Sequence, residues 1–96
     1  FVFNRHTIFK REINMFERYV LLDSVNAVKD FVRIVNDYPF DVDLLSGRYV
    51  VDGKSIMGIF SLNLKAPVLC HIHGNQDTDE RMKSLIEKLT PYIQDK

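Results

Sequence analysis

The chain has a single cysteine, Cys70, among 96 residues, together with no tryptophan, four glycines and three prolines. One thiol cannot close an internal disulfide, and no Cys and His spacing resembles a zinc site, so the fold has to stand on its apolar core. A cytoplasmic, reducing setting is the expectation that follows. Charge of one sign is also lacking, because thirteen basic and thirteen acidic residues cancel and are interspersed along the chain. Such a surface has no broad field to draw in nucleic acid or an anionic bilayer, and neither is expected as a partner. Long apolar runs are missing too. Tyr19 to Leu22 and Ile56 to Leu62 fall far short of a membrane span. The first residues are broken by Asn4, Arg5, His6, Lys10, Arg11 and Glu12, so a signal peptide is not expected there.

What is present is 46% hydrophobic content with seven phenylalanines, enough for one small domain. Residues Phe1 to Asn14 show no clean period. Residues 1–15 therefore read as an N-terminal extension of unknown role, as an added strand, or as an upstream stretch of reading frame. The domain is taken as residues 16–96.

From Phe16 to Leu22 an aromatic and β-branched run suits a strand. Asp23 and Ser24 offer side-chain oxygens to a helix start, and the helix is expected from about Val25 to Asp37. Val28, Phe31, Val32 and Val35 form its apolar stripe, and Pro39 closes the segment. Phe40, Val42 and Leu44 alternate with Asp41, Asp43 and Leu45 as a second strand. Ser46 and Gly47 turn the chain into Arg48 to Val51, completing a hairpin. Ser55 then stands as the N-cap of a short helix through Ile56, Met57, Ile59 and Phe60. Val68, Cys70 and Ile72 alternate with Leu69, His71 and His73 as a fourth strand that ends at Gly74. Asp77 and Glu80 have the spacing of a capping box ahead of Met82, Leu85, Ile86, Leu89 and Ile93, an amphipathic helix. The order of elements is that of an α+β domain with helices on one face of an antiparallel sheet, the other face left to solvent.

The segment Gly53-Lys54-Ser55-Ile56-Met57-Gly58-Ile59-Phe60-Ser61-Leu62 resembles the regulatory-site segment of HPr proteins, close to A-K-S-I-M-G-x-M-S-L. These are the small phosphocarriers of the bacterial phosphoenolpyruvate:sugar phosphotransferase system. The order of elements from Phe16 to Ile93 is similar as well. The resemblance implies an open-faced β-sandwich of βαββαβα order, with a four-stranded antiparallel sheet and three helices on one face.

In that family the first helix opens with G-L-H-A-R-P-A, where this chain reads Ser24-Val25-Asn26-Ala27-Val28-Lys29-Asp30. Asn26 occupies the phosphohistidine position, Val28 that of the arginine and Lys29 that of the proline. Phosphoryl transfer through this site needs an imidazole lone pair as nucleophile. An amide nitrogen has its lone pair delocalised, and a valine cannot fork onto a phosphate. The ordinary carrier role is therefore not expected, although Lys29 and the amides of the helix start could still attract an anion.

The serine matching Ser55 is phosphorylated in the family by a dedicated kinase, and the product binds a transcriptional regulator in carbon catabolite repression. A branch that lacks the histidine but keeps the serine works only in this regulatory way, and the present chain is similar to it. The resemblance thus implies a regulatory protein that is not an enzyme, with Ser55 as the phosphorylation site. Lys54, Ile56, Met57 and Phe60 form its expected partner-docking surface, to which Arg48 and Asp52 could add recognition. Departures from the pattern are Gly53 for alanine, Asp52 for asparagine, and a longer Gly74 to Asp79 loop. The alternatives are a degenerate paralogue or structural module with neither phosphorylation, and a small-anion binder.

His71 and His73 project from the same strand face as a conceivable metal pair, but no third ligand is placed by sequence to complete a site. No metal and no cofactor is expected. Cys70 shares the face of Val68 and Ile72 and reads as a core residue rather than a nucleophile.

Overall fold

Alternation of apolar and polar side chains gives each extended run one face to bury, and these runs pair into one antiparallel sheet. The computed structural model describes residues 15–94. Its strands are β1 (Met15–Val20), β2 (Val42–Ser46), β3 (Tyr49–Asp52), β4 (Val68–His73) and β5 (Ile93–Gln94), in the order β3-β2-β4-β1-β5. Three helices, α1 (Val25–Asn36), α2 (Ile56–Phe60) and α3 (Glu80–Leu89), supply the apolar partners of the sheet. The register sets Phe16 and Val42 on either side of Ile72, and Leu44 beside Cys70. These side chains are buried together with Val28, Phe31 and Val35 of α1, Ile59 of α2, and Met82, Leu85 and Leu89 of α3. No buried residue of the described core is polar or charged.

Among the described residues the sheet has five strands, where four are expected. The extra strand follows from Pro91, which has no N–H to extend α3 and whose ring crowds the carbonyl one turn back. The helix stops at Leu89, a 3-10 turn spans Thr90–Tyr92, and the chain becomes extended at Ile93. Ile93 then pairs with Val20 and Gln94 with Tyr19, and the Leu21 amide donates to the Tyr92 carbonyl at 2.8 Å. Ile93 is thus a strand residue and not the last turn of the helical stripe.

The start of α3 also differs from expectation, because Asn75 Oδ1 accepts from the Asp77 amide at 2.9 Å and draws Asp77 into a turn. The cap is Asp79, whose Oδ1 accepts from the Arg81 amide at 2.9 Å. The first and second hairpin strands shift slightly. Phe40 is buried but precedes β2, and the tight turn is Gly47-Arg48, with Ser46 opposite Tyr49 and Gly47 at φ +60°. Met15 belongs to β1, opposite His73, and the remainder of the expected extension, residues 1–14, lies outside the described residues.

Candidate functional site

Two stretches carry the expected site residues, one at each end of the first helix. Ser24 caps α1, its Oγ accepting from the Ala27 amide at 3.0 Å. That capping leaves Asn26 as the second helical residue, exposed on the rim of an open depression of about 630 Å³. Ser24, Ala27, Lys29, Asp30, Arg33 and Tyr92 complete its lining. Val28, at the arginine position of the resemblance, is wholly buried as part of the core stripe, so it offers nothing to an anion. Arg33 is tied to Asp30, and the Tyr92 hydroxyl donates to the same carboxylate. The Tyr92 hydrogen bond, ahead of the Arg33 charge, holds the Asp30 carboxyl below the usual range, and the same contact pushes the Tyr92 phenol up. The depression therefore contains a carboxylate already stabilised in its charged form, which opposes an incoming anion.

At the opposite end of α1, Asn36 Nδ2 donates to the Lys54 carbonyl at 3.3 Å and ties the helix to the loop that leads into α2. Asp52 Oδ1 accepts from the Lys54 amide at 2.9 Å, and the Asp52 carbonyl accepts from the Ser55 amide at 3.0 Å. This turn presents Ser55 as the N-cap of α2, half-buried, with Oγ accepting from the Gly58 amide at 3.2 Å. The four docking candidates do not share one environment. Met57 is 76% exposed and Phe60 42%, whereas Ile56 is half-buried against the core. Lys54 is half-buried too, its ammonium donating to the Tyr38 carbonyl at 2.8 Å, so it acts as a structural tie as well as a surface cation. A helix this short has one inward position, and Ile59 takes it.

The open face of the sheet places His71 between Asp43 and Glu17 in register. Its Nε2 lies 2.7 Å from Glu17 Oε2, while His73 Nε2 lies 3.2 Å from Asp43 Oδ2. Each imidazole thus has its own carboxylate partner. Among the described residues no group of three His, Cys, Asp or Glu is arranged to hold a metal ion. Cys70 is fully buried, and burial, with the Asp43 carboxylate adding to it, pushes its thiol up to about 12. At neutral pH it stays protonated, as a core residue would.

Sequence reasoning missed the Tyr92 contact with Asp30, which depends on the 3-10 turn after α3. Pro91 was the available signal. It also gave no account of the exposure of Tyr49 and Val50 on β3, at 72% and 59%.

An antiparallel sheet with one face covered by three helices, a capped serine opening the short middle helix, and helices that lead into β2 and β5 define an HPr-like fold. Among solved structures the chain is similar to a phosphocarrier protein HPr from Bacillus anthracis str. Ames. The two share 22% sequence identity over 83% of this chain and 98% of that one, with a TM-score of 0.58. No protein-family model matches the sequence, and no curated protein matches it. No helix among the described residues is long and apolar enough to cross a membrane.

Proposed function

We propose that this HPr-like chain is a regulatory protein that docks a protein partner through the surface around α2 and is controlled by phosphorylation at Ser55. The observation that carries the reading is the pairing of a capped, reachable serine with two exposed apolar side chains, Met57 and Phe60, on the same five-residue helix. A phosphate on Ser55 adds about −1.5 to −2 charges at a helix N-terminus, where amides and dipole favour it. Its oxygens can replace the hydroxyl as acceptor for the Gly58 amide and leave others for a partner's arginines. The adaptable Met57 beside the Phe60 ring suits the apolar centre of an interface. On this reading Asn26 carries no phosphoryl group, because its amide lacks a nucleophilic lone pair. A bacterial, cytoplasmic role in carbon catabolite repression is the setting that the resemblance of the Gly53 to Leu62 segment suggests.

The docking half is tested by titrating the chain, with and without phosphate on Ser55, against a catabolite-type transcriptional regulator. The phosphorylated chain is expected to bind at least about tenfold more tightly, and Met57→Ser and Phe60→Ser to weaken that complex by a similar factor. Equal binding by both forms, or no effect of either substitution, contradicts the proposal.

A further inference from the structure

Among the described residues β3 is an outer strand of the sheet. Edge strands are commonly short, bulged or studded with lysine; this one is short, at four residues, but carries no lysine and exposes Tyr49 and Val50 to solvent. The Gly53 amide donates to the Val42 carbonyl at 2.7 Å. Bonded and non-bonded pairs alternate along an antiparallel ladder, so Val51 and Tyr49 are the residues bonded to β2. Val50 consequently turns its N–H and C=O toward the free edge.

The charges along this edge are separated by end. Asp52 stands directly opposite Asp43, an arrangement of like charges that costs stability. Asp41, Asp43 and Asp52 together line an open depression of about 460 Å³, in which His73 is the only basic lining group. At the other end of β3, exposed Arg48 has neither an ion pair nor a hydrogen bond among the described residues. An acidic residue at the end of the strand and an unpaired cation four positions earlier, in the turn that leads into it, are complementary to their own image rotated by a half turn.

We propose that β3 is a self-docking edge, on which a second copy of this chain pairs its own β3 antiparallel about a two-fold axis at Val50. In that register the two Val50 residues exchange both backbone hydrogen bonds, and Arg48 of each copy faces Asp52 of the other. The alternation of side chains places Val50 and Asp52 on the open face of the sheet, opposite Leu45 and Asp43, and Arg48 stands exposed in the turn just before the strand. Each guanidinium then enters the acidic depression of the other copy, and both pairs form because the interface is isologous. Asp52 Oδ1 is engaged by the Lys54 amide, and its other carboxylate oxygen receives the arginine.

Sedimentation of the full chain at low ionic strength, from micromolar to millimolar concentration, tests this. The native chain is expected to double in mass as concentration rises and to revert in high salt, which screens the exposed pairs. Arg48→Glu alone and Asp52→Arg alone are expected to stay monomeric, as is Val50→Lys, which sets two like charges on the axis. An equimolar mixture of Arg48→Glu and Asp52→Arg is expected to recover the doubled mass, since each new glutamate faces a new arginine and each native pair remains. Circular dichroism melts verify that the variants are folded. A native chain that is monomeric at every concentration overturns the proposal, and so does a folded single variant that still dimerises or a mixture of folded variants that does not.

Discussion

Gly53 stands where the similar HPr segment has alanine, and its surroundings explain the difference. A Cβ there would lie 2.6 Å from Val42 Cγ1 and 3.1 Å from the Val42 carbonyl oxygen. Val42 is buried and β-branched, so neither its side chain nor its backbone can move aside. Gly53→Ala is expected to lower stability by about 1–3 kcal/mol, read as a fall in the urea midpoint without a change in slope. Asp30 and Tyr92 give the residue scale a pH dependence. The Asp30 carboxyl is held low and the Tyr92 phenol high by their mutual hydrogen bond. The contribution of Asp30 is complete above its unfolded value, about 3.9, and is lost as pH falls through the lower folded value. That of Tyr92 is complete below about 10 and is lost as pH rises through the higher folded value. Thermal melts of Tyr92→Phe across the acid and alkaline ranges are expected to show a weaker decline on both sides; curves parallel to the native ones would contradict the contact. Neither feature was legible in the sequence. Gly53 reads there only as a departure from a pattern, and Tyr92 meets Asp30 across 62 positions through a turn where the apolar spacing predicts helix.

Among the elements, those whose signals are local were legible. The caps Ser24 and Ser55 hold the amides expected of them, and of the expected α1 stripe Val28, Phe31 and Val35 are buried while Val32 is half-buried, with Ile34 buried beside them. Where two local signals competed, the reading went astray. Asp77 and Glu80 have capping-box spacing, yet Asn75 takes the Asp77 amide and passes the cap to Asp79. Asp79→Ala is therefore expected to lower the denaturation midpoint and Asp77→Ala to leave it nearly unchanged, a difference that chemical denaturation resolves. The carboxyl of Asp79 is held low chiefly by the Arg81 side chain, which adds an ion pair to the cap. β5 escaped notice because two residues are too few for any periodicity, and only the ladder with β1 makes them a strand. The candidate site divides along the same line. Ser55 and its helix are visible in a ten-residue match that departs from the pattern only at Gly53 and Phe60, whereas the exposures of Ile56, Met57 and Phe60 are decided by which side of α2 meets the core.

On the scale of the whole molecule, a sheet covered on one side leaves a single layer of core between strands and helices. Phe31 is fully buried in the middle of that layer. Phe31→Ala is expected to cost about 3–5 kcal/mol, which a domain of this size with a typical reserve barely tolerates, and denaturant unfolding measures it. Because the core resides in hydrophobic pattern and not in particular residues, the HPr-like fold persists at 22% identity. The central claim is that Ser55 is this chain's phosphorylation site and Asn26 is not. Its most direct test is the intact mass of the protein after incubation with an HPr kinase and ATP, beside a parallel reaction with enzyme I and phosphoenolpyruvate. The account predicts one phosphate from the kinase, absent in Ser55→Ala, and none from phosphoenolpyruvate. No phosphate from the kinase, or a phosphoryl group accepted from enzyme I, would contradict it.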